Sequence, residues 1–401
     1  MVTLHPPSGP VRACIALPGS KSVANRALVC AALAGETSVV KGLPAATDTR
    51  ILHQLLQERP ARMHCGLGGT TLRFALAWAA VQEGEERLVT GEAALLARPH
   101  HGLVQALCEL GAAIDTTASG FVVKGRRLRG GQLVLDSPPS SQFLSALMLV
   151  APSFEQGLEL RWTGRRLSRP YVHMTAAVMQ AFGVKVEANE DVIRILPGAY
   201  VPEAFTVPPD WSAAAFWFQV AALVPGSEVL LESLRDDGLQ GDAQAAALFA
   251  PWTTTEQQGE GLLVKHRSGG KEQHRSDLRD TPDLFQPLVM TCAGRGEGAV
   301  FTGLDNLHLK ESDRLAAVQQ ALERLGAQVQ VEGGTFTLEA GRLSTAPEAP
   351  FDPRHDHRMA MSLAPLAAVC GTLRITDPEV VAKSYPAFWQ HLEQAGFRVE
   401  R

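Results

Sequence analysis

A helix followed by a glycine and a hairpin recurs in this chain, and its clearest copy is residues 315–338, LAAVQQALERLGAQVQVEGGTFTL. Residues 315–325 form an apolar run that predicts a helix. Gly326 follows as the stop signal, because glycine adopts the left-handed backbone at a helix C-terminus without steric penalty. Residues 328–338 then alternate on either side of a Gly-Gly turn, which predicts a β-hairpin.

The same junction recurs at a nearly constant spacing. Its glycines are Gly111, Gly183, Gly326 and Gly396. They are separated by 72, 143 and 70 residues, so the middle interval is about twice the others. A weaker copy is expected near residue 250, and a truncated early copy at residues 51–56 followed by a strand at 62–64. These spacings predict about six units; chance recurrence of a common junction is the alternative interpretation.

The last unit has a single strand after its glycine, near residues 397–400. A short strand at the N-terminus, near Val2–His5, has no neighbour in the sequence with which to pair. We expect these two strands to pair, which places the N-terminus in the C-terminal domain. The chain then crosses between domains twice, near residues 17–20 and 208–210, where prolines favour an extended backbone.

This arrangement predicts an α/β protein of two domains with three units each. One domain is residues 18–208, and the other is residues 1–17 plus 209–401. The length of 401 residues is enough for two such cores. A ligand cleft between the domains is the default expectation.

Composition narrows the classes of function. The net charge of −5 disfavours general nucleic-acid binding. The longest apolar stretch, residues 213–224, contains Gln219 and is too short to span a membrane, and the N-terminus has no secretory signal pattern. Six scattered cysteines without a CxxC pair fit a reducing cytoplasm, and no histidine spacing indicates a metal. We expect a cytoplasmic monomer.

Five short polar loops each run into an apolar helix. They are residues 19–22, 68–71, 140–142, 310–314 and 356–358. Free backbone N–H groups and the helix dipole favour an anion at such a start, although for any single loop helix capping is the favoured interpretation. Most of them also carry cations, which in an acidic protein predicts a cationic cleft for a small polyanion. The cations are Lys21, Arg26, Arg73, Arg98, Lys310, Arg314, Arg358 and Lys383.

Two carboxylates beside this set, Asp283 and Glu311, are candidate proton-transfer groups. Neighbouring cations should keep both ionised, which suits a general base. Capping a helix or pairing with an arginine is an equally good interpretation. His357 lies between Asp356 and Arg358, and on its own it indicates no catalytic role.

At these segments the sequence resembles the enolpyruvylshikimate-phosphate synthase (3-phosphoshikimate 1-carboxyvinyltransferase) family. The matching motifs run in the family's order over residues 17–386. They include LPGSKS at 17–22, SSQFLSAL at 140–147, QGD at 240–242, KESDRL at 310–315 and DHRMAM at 356–361. The resemblance implies the two-domain enolpyruvyl transferase fold, with three βαβαββ units in each domain and a double crossover.

The resemblance also implies an activity. Phosphoenolpyruvate would transfer its enolpyruvyl (1-carboxyvinyl) group to the 5-hydroxyl of shikimate 3-phosphate. Phosphate would leave by addition–elimination through a tetrahedral intermediate. The reaction belongs to the shikimate pathway, which leads to chorismate and the aromatic amino acids. The resemblance implies no metal and no organic cofactor, and it implies only these two small molecules as partners.

Roles for individual residues follow from the same resemblance. Asp283 would take the proton of the 5-hydroxyl, and Glu311 with Lys21 would manage the proton at the enol methylene. The implied contacts of shikimate 3-phosphate are Lys21, Ser22, Arg26, Ser140, Ser141, Gln142, Ser168, Tyr171, Asp283, Asn306 and Lys310. The implied contacts of phosphoenolpyruvate are Lys21, Gly69, Arg98, Gln142, Arg314, Arg358 and Lys383.

The sequence departs from the family pattern at three places. Leu67 and Phe74 replace the usual Asn and Pro around Gly69, and residues 46–49 hold one acid fewer than usual. We expect inhibition by glyphosate, because Gly69 leaves room for it. Alternatives are the sister transferase acting on UDP-N-acetylglucosamine, which typically carries a reactive loop Cys, an inactive anion-binding relative, and one domain of a multifunctional polypeptide.

Overall fold

The computed structural model describes residues 1–189, 191–270 and 273–401. They form two compact units. One is Gly19–Pro208, and the other combines Met1–Pro18 with Pro209–Arg401, so Pro18 lies in the second unit. Each unit has one hydrogen bond between the two segments at which the chain enters and leaves it. In Gly19–Pro208 the Ser20 N–H donates to the Pro208 carbonyl at 2.8 Å, and in the other unit the Asp210 N–H donates to the Pro18 carbonyl at 2.9 Å.

Among the described residues, four four-stranded sheets share one strand order. The first two strands are parallel, the fourth pairs antiparallel with the second, and the third lies at the edge beside the fourth. In spatial order the strands are Arg62–His64, Glu86–Thr90, Gly120–Lys124 and Ala113–Thr117; Gly131–Asp136, Leu158–Thr163, Val192–Ile195 and Val186–Ala188; Arg12–Ile15, Glu228–Leu231, Gly261–His266 and Thr253–Gln258; and His274–Asp277, Ala299–Thr302, Thr335–Leu338 and Val329–Glu332. The predicted hairpins are the last two strands of each sheet, and the α/β fold class is confirmed.

The repeated glycines end helices in the left-handed conformation. Their φ angles are 109° at Gly111, 83° at Gly183, 81° at Gly326 and 92° at Gly396. The helices that they follow are His101–Glu109, Arg169–Ala181, Arg314–Arg324 and Phe388–Gln394. A side chain at these positions would be strained, which explains why the chain uses glycine at each of these junctions.

The N-terminal strand Val2–His5 completes the last sheet. It lies between Leu373–Ile375 and Arg398–Glu400 and pairs antiparallel with both. Phe351 adds a parallel bridge to Ile375, so this sheet repeats the strand order of the other four. The predicted pairing of the first strand with the last strand is confirmed.

The prediction of a truncated early copy is wrong in one respect. Strand Arg62–His64 does not belong to the unit of the preceding helix Thr47–Glu58, because it pairs in parallel with Glu86–Thr90 and begins the next sheet. The segment before this helix forms instead a small parallel pair, Val40–Lys41 with Phe205–Thr206. A parallel partner reached through a crossover helix is distant in sequence, so helix–strand order alone does not reveal it.

Apolar helices bury the sheets of both units. Helix Trp211–Leu223 accounts for the longest apolar run and is buried along its whole length. Its one amide, Gln219, is also buried, and its nitrogen donates to the Ser362 carbonyl at 2.8 Å. The other helices are Lys21–Leu33, Thr47–Glu58, Gly69–Ala80, Ala93–Leu96, His101–Glu109, Ser141–Val150, Arg169–Ala181, Ala245–Leu248, Phe285–Arg295, Arg314–Arg324, His357–Leu363, Ala367–Cys370 and Phe388–Gln394. Within the described parts of the chain, no helix combines the length and apolarity that crossing a membrane requires.

Candidate active site

Three of the predicted polar loops start helices in the unit Gly19–Pro208. The helices are Lys21–Leu33, Gly69–Ala80 and Ser141–Val150. At the third, the Ser140 hydroxyl accepts the Gln142 N–H at 3.2 Å and so acts as an N-cap. In the described structure Ser20 and Gly68 offer no such side-chain cap. The first N–H groups of those two helices are therefore not used by a capping side chain.

Lys21 is held by a carboxylate that the sequence reasoning did not select. Its ammonium donates to Asp48 Oδ2 at 3.0 Å, and Asp48 is buried. The Asp48 backbone carbonyl in turn accepts the Thr71 hydroxyl at 3.0 Å. The pair therefore fixes the ammonium at the start of its helix. The sequence offered one signal for this pair: Asp48 is the single acid in residues 46–49, the segment that holds one acid fewer than the family pattern.

Arg26 lies inside the unit rather than on its surface. Only 1% of it is exposed, and its guanidinium donates to the Thr175 hydroxyl at 2.7 Å and the Ser22 carbonyl at 2.7 Å. The rings of Phe74 and Tyr171 lie 5.5 and 5.8 Å from its central carbon. Burial lowers its pKa to about 10. Arg26 therefore orders the residues around it, and its implied contact with substrate stays a prediction.

Gly69 permits a close approach by Arg98. A Cβ built on Gly69 would lie only 2.8 Å from Arg98 Nη1, so any side chain there would displace the guanidinium. Nearby, buried Arg73 donates to Gln142 Oε1 and to the Pro99 carbonyl. The first turn of helix Gly69–Ala80 is thus surrounded by arginine groups, and glycine is what admits the nearest one.

The remaining candidates of this unit also lie at helix starts. Ser141 begins its helix and is buried. Ser168 precedes helix Arg169–Ala181 with a φ of 60°, and its carbonyl accepts the Tyr171 N–H at 3.2 Å. Of the two departures around Gly69, Phe74 is buried beside Arg26, whereas Leu67 is an exposed residue. Replacement of proline by Phe74 therefore fills the core rather than the surface.

In the second unit, Arg314 joins three carboxylates. Its Nε donates to Asp356 Oδ2 at 2.8 Å, its Nη1 to Asp283 Oδ1 at 2.8 Å and its Nη2 to Glu311 Oε2 at 3.0 Å. Asp356 also caps its own helix by accepting the Arg358 N–H at 2.9 Å. Arg314 is 1% exposed and Asp356 is fully buried, so the planar guanidinium fixes these carboxylates in one arrangement.

Asp283 receives further cations. Arg358 Nη2 donates to its Oδ2 at 3.0 Å, and Lys310 Nζ lies 4.0 Å from its Oδ1. Burial alone would raise the pKa of Asp283, but Arg358, Lys310 and Arg314 outweigh that effect and hold it well below its usual range. The carboxylate is therefore ionised, as expected for an acid beside several cations.

Glu311 and Lys383 form the other side of this cluster. Lys383 Nζ lies 3.4 Å from Glu311 Oε1, while Glu311 Oε2 is held by Arg314. Burial lowers the pKa of Lys310 more strongly than Asp283 raises it. The cluster thus brings together Asp283, Glu311, Lys310, Arg314, Arg358 and Lys383, six of the residues implied by the resemblance. Asn306 is also buried, directly before the short turn Leu307–Leu309.

Sequence reasoning missed two carboxylates of this unit. Asp356 was recognised only as part of the loop 356–358 before an apolar helix, where it caps that helix, and not as a partner of Arg314. Asp242 appeared only within the QGD motif. It is buried, and it accepts a short hydrogen bond from the Ser212 hydroxyl.

Comparison with known proteins identifies the family of this chain. The family model for EPSP synthase (3-phosphoshikimate 1-carboxyvinyltransferase) matches residues 6–59 and 51–392. The chain belongs to the EPSP synthase family. A 3-phosphoshikimate 1-carboxyvinyltransferase of Bacteroides fragilis is 36% identical over 97% of this chain and 97% of its own length. One from Methanoculleus marisnigri is 33% identical over 97% of this chain and 98% of its own length.

The fold is also that of a solved member of the EPSP synthase family. The structure of EPSP synthase from Acinetobacter baumannii superposes with a TM-score of 0.79 over 100% of both chains, at 23% identity. At that identity the likeness concerns the fold alone. Together the comparisons confirm the predicted family and its fold, whereas the roles of individual residues stay predictions.

Proposed function

We propose that this chain transfers the enolpyruvyl group of phosphoenolpyruvate to the 5-hydroxyl of shikimate 3-phosphate and releases phosphate. Membership of the EPSP synthase family supports the reaction. The observation that carries the proposal is that one buried guanidinium, Arg314, holds two carboxylates, Asp283 and Glu311, at 2.8 and 3.0 Å. The reaction needs one proton removed and another delivered beside anions, and this arrangement supplies both kinds of group.

Asp283 is proposed as the base for the 5-hydroxyl. In the ligand-free cluster its pKa is too low for an effective base, because Arg358, Lys310 and Arg314 stabilise its charge. A phosphate or carboxylate that took over Arg358 and Lys310 would weaken that stabilisation and raise the pKa of Asp283. Binding of the anionic substrates would thereby strengthen the base at the moment when it is required.

Glu311 is proposed to act at the enol methylene together with Lys21. Protonation of that carbon makes its neighbour electrophilic, and attack by the 5-oxygen gives a tetrahedral ketal phosphate. Return of a proton from the methyl group and departure of phosphate then restore the double bond. Lys383, 3.4 Å from Glu311, and Arg314 keep this carboxyl among cations that also suit the developing anionic charges.

Each unit contributes implied binding groups. For shikimate 3-phosphate, the proposed contacts in the unit Gly19–Pro208 are Lys21, Ser22, Arg26, Ser140, Ser141, Gln142, Ser168 and Tyr171. For phosphoenolpyruvate they are Lys21, Gly69, Arg98 and Gln142. Helix starts without a side-chain cap, at Ser20 and Gly68, support anion binding there because their N–H groups carry partial positive charge.

Phosphate release from shikimate 3-phosphate and phosphoenolpyruvate tests the proposal. Asp283→Asn keeps the shape of the side chain but removes the base, so the rate should fall by about 10²–10⁴-fold. Asp237→Asn alters an exposed aspartate whose carboxylate accepts the Leu239 N–H, and it should leave the rate unchanged. Release with UDP-N-acetylglucosamine instead would assign the sister activity. Release with neither acceptor would indicate an anion-binding relative and contradict the proposal.

We further infer that the chain acts as a cytoplasmic monomer on these small molecules. Its six cysteines are all free thiols, which suits a reducing compartment. Light scattering coupled to size-exclusion chromatography would test the monomer, with a mass near 43.0 kDa expected. A mass of twice that value would contradict it.

A further inference from the structure

Asp242 is a buried carboxyl beside the cluster around Asp283, and none of the roles proposed above uses it. It is 3% exposed and lies in the short turn Gly241–Gln244. Its Oδ2 accepts the Ser212 hydroxyl, whereas its buried Oδ1 has no hydrogen-bond partner among the residues that the structure describes. An ionised carboxylate with an unbonded buried oxygen is unfavourable, so this geometry favours the protonated acid.

The charges that face Asp242 come from neighbouring elements. They are Asp283, Arg358 and Asp210. Burial, helped by the charges of Asp283 and Asp210, raises the pKa of Asp242 to about 7. Arg358 and the Ser212 hydrogen bond oppose that rise. Asp242 and Asp283 therefore compete for the same guanidinium, and in the ligand-free state Asp283 holds it at 3.0 Å.

The net charge of the cluster depends on whether Asp242 carries a proton. Asp242 aside, four cations face three carboxylates among the described residues of the cluster. They are Lys310, Arg314, Arg358 and Lys383, with Asp283, Glu311 and Asp356. Whichever further charges are counted, the surroundings of Arg358 are one unit more positive with Asp242 protonated than with Asp242 ionised. An anion binds the first state more tightly, so anion binding and protonation favour each other.

We propose that Asp242 is a positioning residue that takes up a proton when an anionic substrate binds at Arg358, leaving that guanidinium to the ligand. One proton moves from solvent to a carboxylate oxygen of Asp242 and gives the neutral acid; no other bond changes. Only the identity of the anion, phosphoenolpyruvate, rests on the proposed function. The Ser212 hydroxyl opposes the uptake, because its hydrogen bond stabilises the ionised form.

Infrared difference spectroscopy of the intact ligand-free chain tests the proton on Asp242. Raising the pH should remove the C=O stretch of a protonated carboxylic acid, with a midpoint near 7. Asp242→Asn should abolish this titration. The matched control Glu297→Gln removes another buried carboxyl, one that binds Trp252 and Arg295, and should retain the titration. Absence of the band in the unmodified chain, or its persistence in Asp242→Asn, would overturn the inference.

Steady-state kinetics tests the link to the anion. If binding raises the pKa of Asp242 by one unit, the KM for phosphoenolpyruvate should rise by about tenfold as the pH increases through neutrality. Asp242→Asn should lose this component and keep only the dependence due to the substrate's own ionisation. Identical KM profiles for the two proteins would refute the coupling. A chain without turnover would refute the proposed function, while the infrared titration would still decide the state of Asp242.

A second variant covers the case in which Asp242→Asn does not fold. Ser212→Ala removes the hydrogen bond that stabilises the ionised form, so the infrared midpoint should move to a higher pH than in the unmodified chain. The helix that carries Ser212 keeps its Asp210 cap, since that cap uses the Ser212 N–H at 3.1 Å. An unchanged midpoint in a folded Ser212→Ala protein would contradict the placement of the proton on Asp242.

Discussion

Replacing Arg314 by lysine tests the idea that one guanidinium organises the cluster of the second unit. Arg314 uses three nitrogens on three different carboxylates, at 2.8, 2.8 and 3.0 Å, and is 1% exposed. Lysine keeps the positive charge but offers a single nitrogen on a flexible stem. It can approach one of the carboxylates closely, and two hydrogen bonds are lost.

The magnitude follows from those two bonds. A hydrogen bond to a charged group contributes about 1.5–3 kcal/mol, so their loss costs about 3–6 kcal/mol. The retained ammonium still neutralises part of the buried negative charge. The free energy of unfolding should therefore fall by an amount near the lower end of that range, about 3 kcal/mol. For units of this size each kcal/mol corresponds to about 2–4 °C, so the Tm should fall by about 6–12 °C.

Calorimetry of the intact chain near neutral pH measures this change, with Arg12→Lys as the matched control. Arg12 is an exposed residue paired with Glu228 at 2.9 Å, and its replacement should change the Tm little. A Tm loss in Arg314→Lys no larger than in this control would refute the reasoning.

The effect should also depend on pH. The folded-state pKa of Asp283 is depressed, so its stabilising contribution is present above its unfolded pKa of about 3.9 and is lost as the pH falls. Protonation of the unfolded chain is the same in both proteins and cancels, so the difference in Tm should persist at pH 5. It should narrow only below about pH 3.9, as the pH approaches the depressed folded-state pKa of Asp283.

Three further predictions concern the other unit. Gly69→Ala places a Cβ 2.8 Å from Arg98 Nη1, so the KM for phosphoenolpyruvate should rise about tenfold with kcat little changed. Equal KM values for this variant and the unmodified chain in steady-state kinetics would contradict the prediction. The unmodified chain should be inhibited by millimolar glyphosate in competition with phosphoenolpyruvate, and turnover insensitive to it would count against this. Asp48→Asn removes the negative charge that faces the Lys21 ammonium while preserving the shape of the side chain, so kcat/KM should fall about 10–100-fold with an unchanged circular dichroism spectrum. Full activity would show that the charge of this pair is dispensable.

The repeats were predictable because the helix before each hairpin ends in a backbone conformation that only glycine adopts freely. The φ angles at Gly183 and Gly326, 83° and 81°, are the physical basis of the spacing seen in the sequence. The unpaired N-terminal strand was predictable for a related reason, since the last unit lacked one strand of its hairpin. Strand Arg62–His64 was misassigned because its parallel partner follows a whole helix later.

The cations of the site were predictable because they lie within local loop–helix motifs. Their partners were not, because pairing depends on tertiary structure. Asp283 and Asp356 lie 31 and 42 residues from Arg314 in the chain, and nothing in the local sequence connects them. Asp48 and Asp242 were missed for the same reason. Each is recognised by its burial and by one contact with a residue distant in sequence, an ion pair with Lys21 for Asp48 and a hydrogen bond from Ser212 for Asp242.

Strand Val2–His5 has a consequence for the order of events during synthesis. It leaves the ribosome long before its partners Leu373–Ile375 and Arg398–Glu400, which lie near the other end of this sequence. The contiguous unit Gly19–Pro208 is fully synthesised, and able to fold, before the partners of this strand exist. Until then the backbone groups of Val2–His5 lack their partners in the sheet. Closure of the other unit therefore has to wait until both partner strands have been synthesised, and the long sequence separation of this pairing makes it intrinsically slow.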